Sequence, residues 1–266
     1  MKKFLLFIAT VSIIVACSTN AVTGRKQLAL FGEATLQQQA LTEYQTFLSQ
    51  NKVVNSGANK DAEMVKRVGN RIAKAITDYY TQKGLANELN GYKWEFNLVD
   101  SKEVNAWCMP GGKVVVYTGL LGITQNEAAL AVVMGHEITH AVAHHGNERM
   151  SQGALAQGLE IVGNIATANN PKYNDLFNNI FAPTAQIAVL LPNSRNQEYE
   201  ADHFGLNFAA MAGYNPNEAI AFWQRMAAAS NGQKPPEFLS THPADENRIA
   251  RLKEFMPEAL GYYKPV

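Results

Sequence analysis

Helical periodicity dominates the hydrophobic pattern along this chain of 266 residues. In two early segments, residues 32–51 and 61–82, apolar side chains recur every three or four positions, as on the buried face of an amphipathic helix. Weaker patterns of the same kind predict further helices at residues 124–145, 198–211, 217–229 and 244–255, and two more within residues 151–191. We therefore expect a mainly helical protein.

Strand patterns are confined to one short part of the chain. Apolar and polar residues alternate over residues 92–99, which predicts a half-buried strand. Two shorter strands are expected at residues 105–108 and 113–118, joined by a turn at 109–112 that contains Pro and Gly. Together with the helices, these strands predict an α+β fold, mainly helical, with a small antiparallel or mixed sheet.

The N-terminal segment differs in composition from the rest of the chain. Lys2 and Lys3 precede an apolar run over residues 4–16. This run is shorter than the roughly 20 apolar residues of a transmembrane helix. A positive pair followed by a short apolar run is typical of a signal peptide.

The apolar run ends in Ile14-Val15-Ala16-Cys17, which is similar to a bacterial lipobox although Ile14 and Val15 are not its commonest residues. We expect cleavage before Cys17 and lipidation of that residue, with an ordinary secretory signal as the alternative. Ser18 in place of Asp then favours the periplasmic side of the outer membrane. The expected organisation is a signal peptide at 1–16, a lipidated tether at 17–32 and one domain at 33–266.

Charge and cysteine content argue against a nucleic-acid partner and against an internal disulfide. Lys plus Arg and Asp plus Glu number 23 each, so the formal net charge is zero and no nucleic-acid partner is expected. The chain has two cysteines, Cys17 and Cys108, so lipidation of the first leaves the second without a disulfide partner. We expect Cys108 to be a buried apolar residue and not a nucleophile.

The residues that carry chemistry lie in the predicted helix at 124–145. His136 and His140 begin and end an H-E-x-x-H motif. Four residues span about 400° of an α-helix, so both imidazoles lie on one face and can bind one metal ion. Glu137 lies beside that face, where it can take a proton from a water activated by the metal. Thr124 and Glu127 form a T-x-x-E capping box that is expected to start the helix.

A catalytic zinc site requires a third protein ligand. The long form of the motif has a third histidine six residues after the second, but Gly146 stands at that position here. His144 and His145 are expected on the helix surface or behind the ligands. The third ligand is therefore expected to be a carboxylate on a later helix.

Two acidic residues on the predicted helix at 198–211 meet this requirement. Glu198 and Asp202 are four residues apart and share a helix face, which Arg195 and Gly205 extend. We select Glu198 as the ligand and place Asp202 behind it, accepting the free N–H of a ligand histidine, with Arg195 as further support. Glu200 points about 200° away from Glu198 and is expected to face solvent.

Taken together, these motifs resemble those of the HtpX and CAAX-prenyl-protease type of zinc endopeptidase, a gluzincin, in its soluble periplasmic lipoprotein branch. The matching segments span nearly the whole chain from residue 17 to 250. They are VTGR at 22–25, NA at 105–106, PGG at 110–112, TGLL at 118–121, GHEITH at 135–140, SR at 194–195, Glu198, AD at 201–202, AGY at 212–214 and THP at 241–243.

The resemblance implies a zincin-like fold in which the small sheet lies beside the H-E-x-x-H helix. It implies one Zn²⁺ per chain on His136, His140 and Glu198, with Glu137 as the general base. Asn105 and Ala106 match an edge strand that binds extended substrate through its backbone.

His242 matches a histidine near the active site of such enzymes. Two roles follow from the resemblance: His242 stabilises the oxyanion, or it takes the open position of the zinc as a fourth ligand and latches the enzyme. A residue at the start of a helix, with Pro243 next to it, is the structural alternative.

The physiological role implied by the resemblance is degradation of misfolded or misassembled outer-membrane and periplasmic proteins. The expected partners are those unfolded substrates, the membrane through the lipid on Cys17, and outer-membrane assembly machinery. One alternative is a chaperone-like assembly lipoprotein whose protease activity is latched or secondary. Another is a structural zinc protein, although such a site has no need of Glu137.

Overall fold

The computed structural model describes residues 17–156, 195–229, 238–239, 242 and 248–265. Of the segment 151–191, in which two helices are predicted, residues 157–191 lie outside the described residues. The described chain is mainly helical with small sheets, and the predicted α+β class is confirmed. No helix in the described ranges is long and apolar enough to cross a membrane.

The two long amphipathic helices are confirmed almost to the residue. Helix α1 spans Glu33–Gln50 and buries Leu36, Ala40, Tyr44 and Phe47 on one face. Helix α2 spans Lys60–Gln82, and the side chain of Asn59 caps it by accepting hydrogen bonds from the first backbone N–H groups.

A three-stranded mixed sheet lies against these two helices. Its strands are β3 (Glu95–Val99), β4 (Ala106–Met109) and β5 (Lys113–Tyr117), in the order β3-β5-β4. Strand β5 is parallel to β3 and antiparallel to β4. All five residues of β5 are buried, as expected for the central strand. Strand β4 therefore forms an edge of the sheet.

The motif helix differs from its prediction at both ends. A short helix that the pattern did not predict, α3, spans Thr118–Thr124, and α4 spans Glu127–Val142. The capping box was wrong because Thr124 belongs to α3; the cap of α4 is Asn126, whose Oδ1 accepts from Ala129 N at 2.8 Å. Helix α4 ends where His144 adopts a left-handed φ of 55°. Helix α5 then spans His145–Ala156.

Three later helices complete the described fold: the first two pack against α4, and the third packs against those two. They are α6 (Arg195–Met211), α7 (Glu218–Ala229) and α8 (Arg248–Tyr262). Helix α8 continues through Pro257, beyond its predicted end at residue 255. Buried apolar residues of α2, the sheet, α4 and these three helices form the main core.

Helices α4 and α6 touch through their backbones. A Cβ atom at Gly135 would lie 2.5 Å from Gly205 O, and one at Gly205 would lie 2.6 Å from His136 N. No real Cβ contact is this short, so both positions exclude larger residues. The sequence-based expectation that Gly205 permits close helix approach is confirmed, and the contact lies directly beside the H-E-x-x-H motif.

Residues 17–32 are packed on the domain, so the expectation of an extended tether was wrong. Strands β1 (Cys17–Thr19) and β2 (Lys26–Leu28) form an antiparallel pair. Buried Asn20 donates from Nδ2 to Ala143 O at 2.9 Å, and Leu30 N donates to Ser151 Oγ at 2.9 Å. We call residues 17–32 the N-terminal strap.

Candidate metal centre

Four buried side chains meet beside the crossing of α4 and α6. They are His136 and His140 on α4, Glu198 on α6, and His242, and one ligand atom of each lies within 4.8 Å of all the others. The Nε2 atoms of His136 and His140 are 3.1 Å apart, and they lie 3.4 and 3.5 Å from the Glu198 carboxylate oxygens. His242 Nδ1 lies 3.0 Å from Glu198 Oε2 and 3.2 Å from His136 Nε2.

These separations fit one tetrahedral zinc ion. Nitrogen and oxygen ligands at about 2.0–2.1 Å from zinc are roughly 3.3 Å from one another in a tetrahedron. The measured separations of 3.0 to 3.5 Å bracket that value. Imidazole nitrogens and a carboxylate oxygen are also the donor atoms that zinc prefers, so the residues fit the metal that the sequence predicts.

The ring nitrogen of His136 that faces away from the cluster, Nδ1, has a buried acidic partner. His136 Nδ1 lies 2.9 Å from Asp202 Oδ1, and Arg248 Nη2 donates to the same oxygen at 2.7 Å. With Nδ1–H donating to Asp202, the lone pair of His136 is on Nε2, facing the cluster. Asp202 thus lies where the sequence placed it. Arg195 does not: it is exposed in the first turn of α6, and Arg248 takes the place assigned to it.

The outer nitrogen of His140 meets a second histidine. His145 Nδ1 lies 2.8 Å from His140 Nδ1, and His145 Nε2 lies 2.9 Å from Glu200 Oε2. Arg25 of the N-terminal strap donates from Nε to Glu200 Oε1 at 2.7 Å. The expectation that Glu200 faces solvent was therefore wrong. The left-handed residue His144 could not be foreseen, and it turns the chain so that the fully buried His145 lies behind His140.

Glu137 is buried beside the cluster and has no hydrogen-bond partner among the described residues for its Oε1, which lies 3.3 Å from His242 Nε2. Burial raises the pKa of Glu137 to about 7. Burial also opposes ionisation of Glu198, but His242 and His140 outweigh it and hold the pKa of Glu198 well below its usual range. One buried carboxyl is thus suited to proton exchange near neutral pH and the other to staying ionised.

His242 is connected to the start of the edge strand through Phe238. Phe238 N donates to Val104 O at 3.0 Å, and His242 N donates to Phe238 O at 2.9 Å. The Phe238 ring packs 4.8 Å from the His242 ring. Asn105, which follows Val104, accepts from Ala106 N at 2.9 Å through Oδ1. The structure thus brings His242 close to the start of β4.

Cys108 on β4 is half-buried, and burial raises the pKa of its thiol well above the usual range. A thiol of this kind is a poor nucleophile.

The fold is a helical α+β fold, and its site combines two motif histidines, a carboxylate from a later helix and a further carboxylate at their side. This combination defines the zincin class of zinc metallopeptidases. The chain belongs to peptidase family M48, whose family model matches residues 59–256. The resemblance to the HtpX and CAAX-prenyl-protease type is therefore confirmed at the level of the family, and the finer assignment stays a prediction.

Curated relatives come from mitochondria and from bacteria. The chain is 36% identical over 172 residues to mitochondrial metalloendopeptidase OMA1 of Schizosaccharomyces pombe, covering 64% of this chain and 49% of the relative. It is 31% identical over 252 residues to the human mitochondrial metalloendopeptidase OMA1, covering 91% and 46%. It is 30% identical over 185 residues to the beta-barrel assembly-enhancing protease of Escherichia coli, covering 66% and 38%. The chain thus spans half or less of the length of these relatives.

Proposed function

We propose that this chain is a zinc-dependent endopeptidase in which His136, His140 and Glu198 hold the metal and Glu137 is the general base. The observation that carries this proposal is the set of separations among the ligand atoms. The Nε2 atoms of two imidazoles lie 3.1 Å apart, beside a carboxylate. That arrangement is favourable when a cation lies between them.

A zinc ion held by His136, His140 and Glu198 would supply Lewis-acid chemistry, which activates water and polarises a scissile carbonyl. Glu137 takes the proton of the attacking water and passes it to the leaving amine. Its burial within the protein keeps competing bulk water away from the transfer. His242 Nε2 lies 3.3 Å from Glu137 Oε1, so His242 is placed to bind the developing oxyanion or to occupy the substrate's position.

The edge strand β4 supplies a backbone surface for an extended substrate. Tyr117 N donates to Asn105 O, so the antiparallel pattern points the backbone N–H and C=O groups of Asn105 and Trp107 toward β5. The backbone groups of Ala106 and Cys108 then point outward, away from the sheet. Ala106 N already donates to Asn105 Oδ1. The groups offered to substrate are therefore Ala106 O and both backbone groups of Cys108, which recognise peptide backbone and not particular side chains.

A peptide series with single N-methylated backbone amides tests this binding mode. Because neighbouring residues of a strand point their N–H groups to opposite sides, methylation at alternate positions should raise KM, while positions between them tolerate it. Equal sensitivity at every position would show that the substrate does not bind as an added strand.

Elemental analysis of the purified protein tests the metal assignment. We expect about one zinc per chain, and loss of zinc on replacing His136, His140 or Glu198 with Ala. Glu254→Ala, an exposed carboxylate on α8, is the matched control and should keep its zinc. Full zinc retention by Glu198→Ala would remove Glu198 from the ligand set.

For the physiological role, we propose that the enzyme is held by lipid at Cys17 on the periplasmic side of the outer membrane and degrades misfolded or misassembled envelope proteins. The lipobox-like sequence supports the location. The similarity to the beta-barrel assembly-enhancing protease of Escherichia coli supports a link to outer-membrane assembly. Glu137→Gln protein should trap such substrates from envelope extracts. Retention of only folded, correctly assembled proteins would favour the chaperone-like alternative.

A latched protease is the second candidate, and one observation favours it. His242 Nδ1 lies among the ligand atoms and not beside them, at 3.0 Å from Glu198 and 3.2 Å from His136. A histidine in that place closes the coordination position that a catalytic zinc keeps open.

A further inference from the structure

A continuous line of buried and half-buried side chains connects one proposed zinc ligand to the N-terminal strap. It runs from His140 to His145, then to Glu200 and to Arg25, with separations of 2.8, 2.9 and 2.7 Å. The proposed reaction uses only the first of these residues. The others come from α5, α6 and the strap, which are far apart in sequence.

The donors and acceptors along this line agree in one arrangement. His140 directs Nε2 into the metal cluster, so its Nδ1 carries the proton and donates to His145 Nδ1. His145 then carries its own proton on Nε2 and donates to Glu200 Oε2. Arg25 Nε donates to the other oxygen of that carboxylate. Each polar atom on the line thus has a partner of the opposite kind.

We propose that His145, Glu200 and Arg25 are positioning residues that orient His140 for the metal, with Arg25 of the N-terminal strap holding the Glu200 carboxylate in place. This inference rests on the proposed zinc site. It gives His140 what Asp202 and Arg248 give His136, an outer partner that is itself held in place. Outer partners of this kind fix the tautomer and the ring orientation of a ligand histidine.

Arg25 offers a matched control within its own contacts. It binds two carboxylates: Glu200, and Glu148 through a bidentate pair at 2.7 and 2.6 Å. Glu148 accepts a further hydrogen bond from Gln197 at 2.6 Å, and it lies off the hydrogen-bonded line that runs from Glu200 through His145 to His140. Loss of either carboxylate loosens the strap, but only loss of Glu200 breaks the line to His140.

The experiment measures the rate at which zinc passes from the full chain to a chromogenic chelator. Glu200→Ala should release zinc about tenfold faster than wild type, whereas Glu148→Ala should stay within about twofold, because outer partners change metal affinity by about 10–100-fold. The melting temperatures of the metal-free variants should fall by similar amounts. Equal release rates for the two variants would show that Glu200 acts only by holding the strap.

Two substitutions at position 145 give a second, independent test. Asparagine can place an oxygen near the position of Nδ1 and still accept from His140, whereas phenylalanine fills the volume without an acceptor. We expect zinc release from His145→Asn to be closer to wild type than release from His145→Phe. A purely packing role predicts the reverse order, because phenylalanine fills the buried space better.

Failure of this inference is distinguishable from failure of the proposed function. A wild-type chain that binds no zinc contradicts the function itself. A wild-type chain that binds zinc, with Glu200→Ala releasing it at the wild-type rate, contradicts only the positioning line.

Discussion

His242 contacts both a proposed zinc ligand, Glu198, and the proposed general base, Glu137. Its Nδ1 lies 3.0 Å from Glu198 Oε2, while its Nε2 lies 3.3 Å from Glu137 Oε1. A side chain in this position either inhibits the reaction or accelerates it. As a fourth ligand it blocks the position of water and substrate, and as a hydrogen-bond donor it stabilises the oxyanion.

Replacement of His242 with Ala distinguishes the two roles, because they predict opposite changes in peptidase activity. We expect casein cleavage to rise, because Nδ1 lies among the metal-ligand atoms and its removal frees a coordination position. An oxyanion role predicts the opposite, a fall in kcat of about 100-fold. His242→Ala and the wild type are compared at equal zinc content. Unchanged activity with an unchanged melting temperature would eliminate both roles.

The side chains of the site could be predicted where they belong to one periodic element. His136, His140 and Glu137 follow from helix geometry, and Glu198 and Asp202 from their spacing of four. Arg248 could not be found this way, since it lies on another helix and reaches Asp202 only through tertiary packing.

At the scale of elements, the contact between α4 and α6 positions the site. Glycine at 135 and 205 lets the two backbones touch, which brings Glu198 within 3.5 Å of both motif histidines. A side chain at either position would push the helices apart by the size of the added atoms. The geometry of the ligand cluster therefore depends on residues that hold no metal.

Substitution of Gly205 tests this dependence. Gly205→Ala should lower the free energy of unfolding by about 1–3 kcal/mol, as overpacking does, and should also lower zinc content. The control is Gly122→Ala in α3, where a Cβ meets no atom within 4 Å. That change should leave zinc content intact and add up to about 1 kcal/mol of stability. Chemical denaturation and elemental analysis measure both effects, and a neutral Gly205→Ala would show that the helices can separate freely.

Elements with a strong one-sided pattern were predicted well, and those defined by local turns were not. Helices α1 and α2 have clear apolar stripes, which fixed their limits to within one residue. The boundary between α3 and α4 depends on the left-handed residue Gln125, with a φ of 63°, which an apolar run does not reveal. The N-terminal strap was mistaken for a tether because its packing depends on buried polar contacts such as Asn20 to Ala143.

At the scale of the whole molecule, the strap leaves little free chain between Cys17, the proposed site of lipidation, and the domain. Strand β1 begins at Cys17, and Arg25 binds α5 and α6 through Glu148 and Glu200. A lipid at this position would hold the domain close to the membrane surface. The metal centre would then lie near the membrane and not at the end of a long linker.

Cys17→Ser tests the anchor in a bacterial host. We expect it to abolish acyl-chain labelling and to move the protein from the membrane fraction to the soluble fraction, because a serine hydroxyl is not a substrate for thiol lipidation. Cys108→Ser, at the other cysteine, is the matched control and should stay labelled. Persistent membrane association of unlabelled Cys17→Ser protein would indicate a different attachment.

The proposed reaction of this chain is hydrolysis of peptide bonds at a zinc site with Glu137 as the general base. The most direct measurement is casein cleavage by Glu137→Gln and wild type at equal zinc content, with Glu127→Gln at the start of the same helix as the control. The glutamine amide cannot accept the proton of water, so activity should fall by about 10²–10⁴-fold while zinc content and fold are kept. Undiminished cleavage by zinc-loaded Glu137→Gln would exclude Glu137 as the general base.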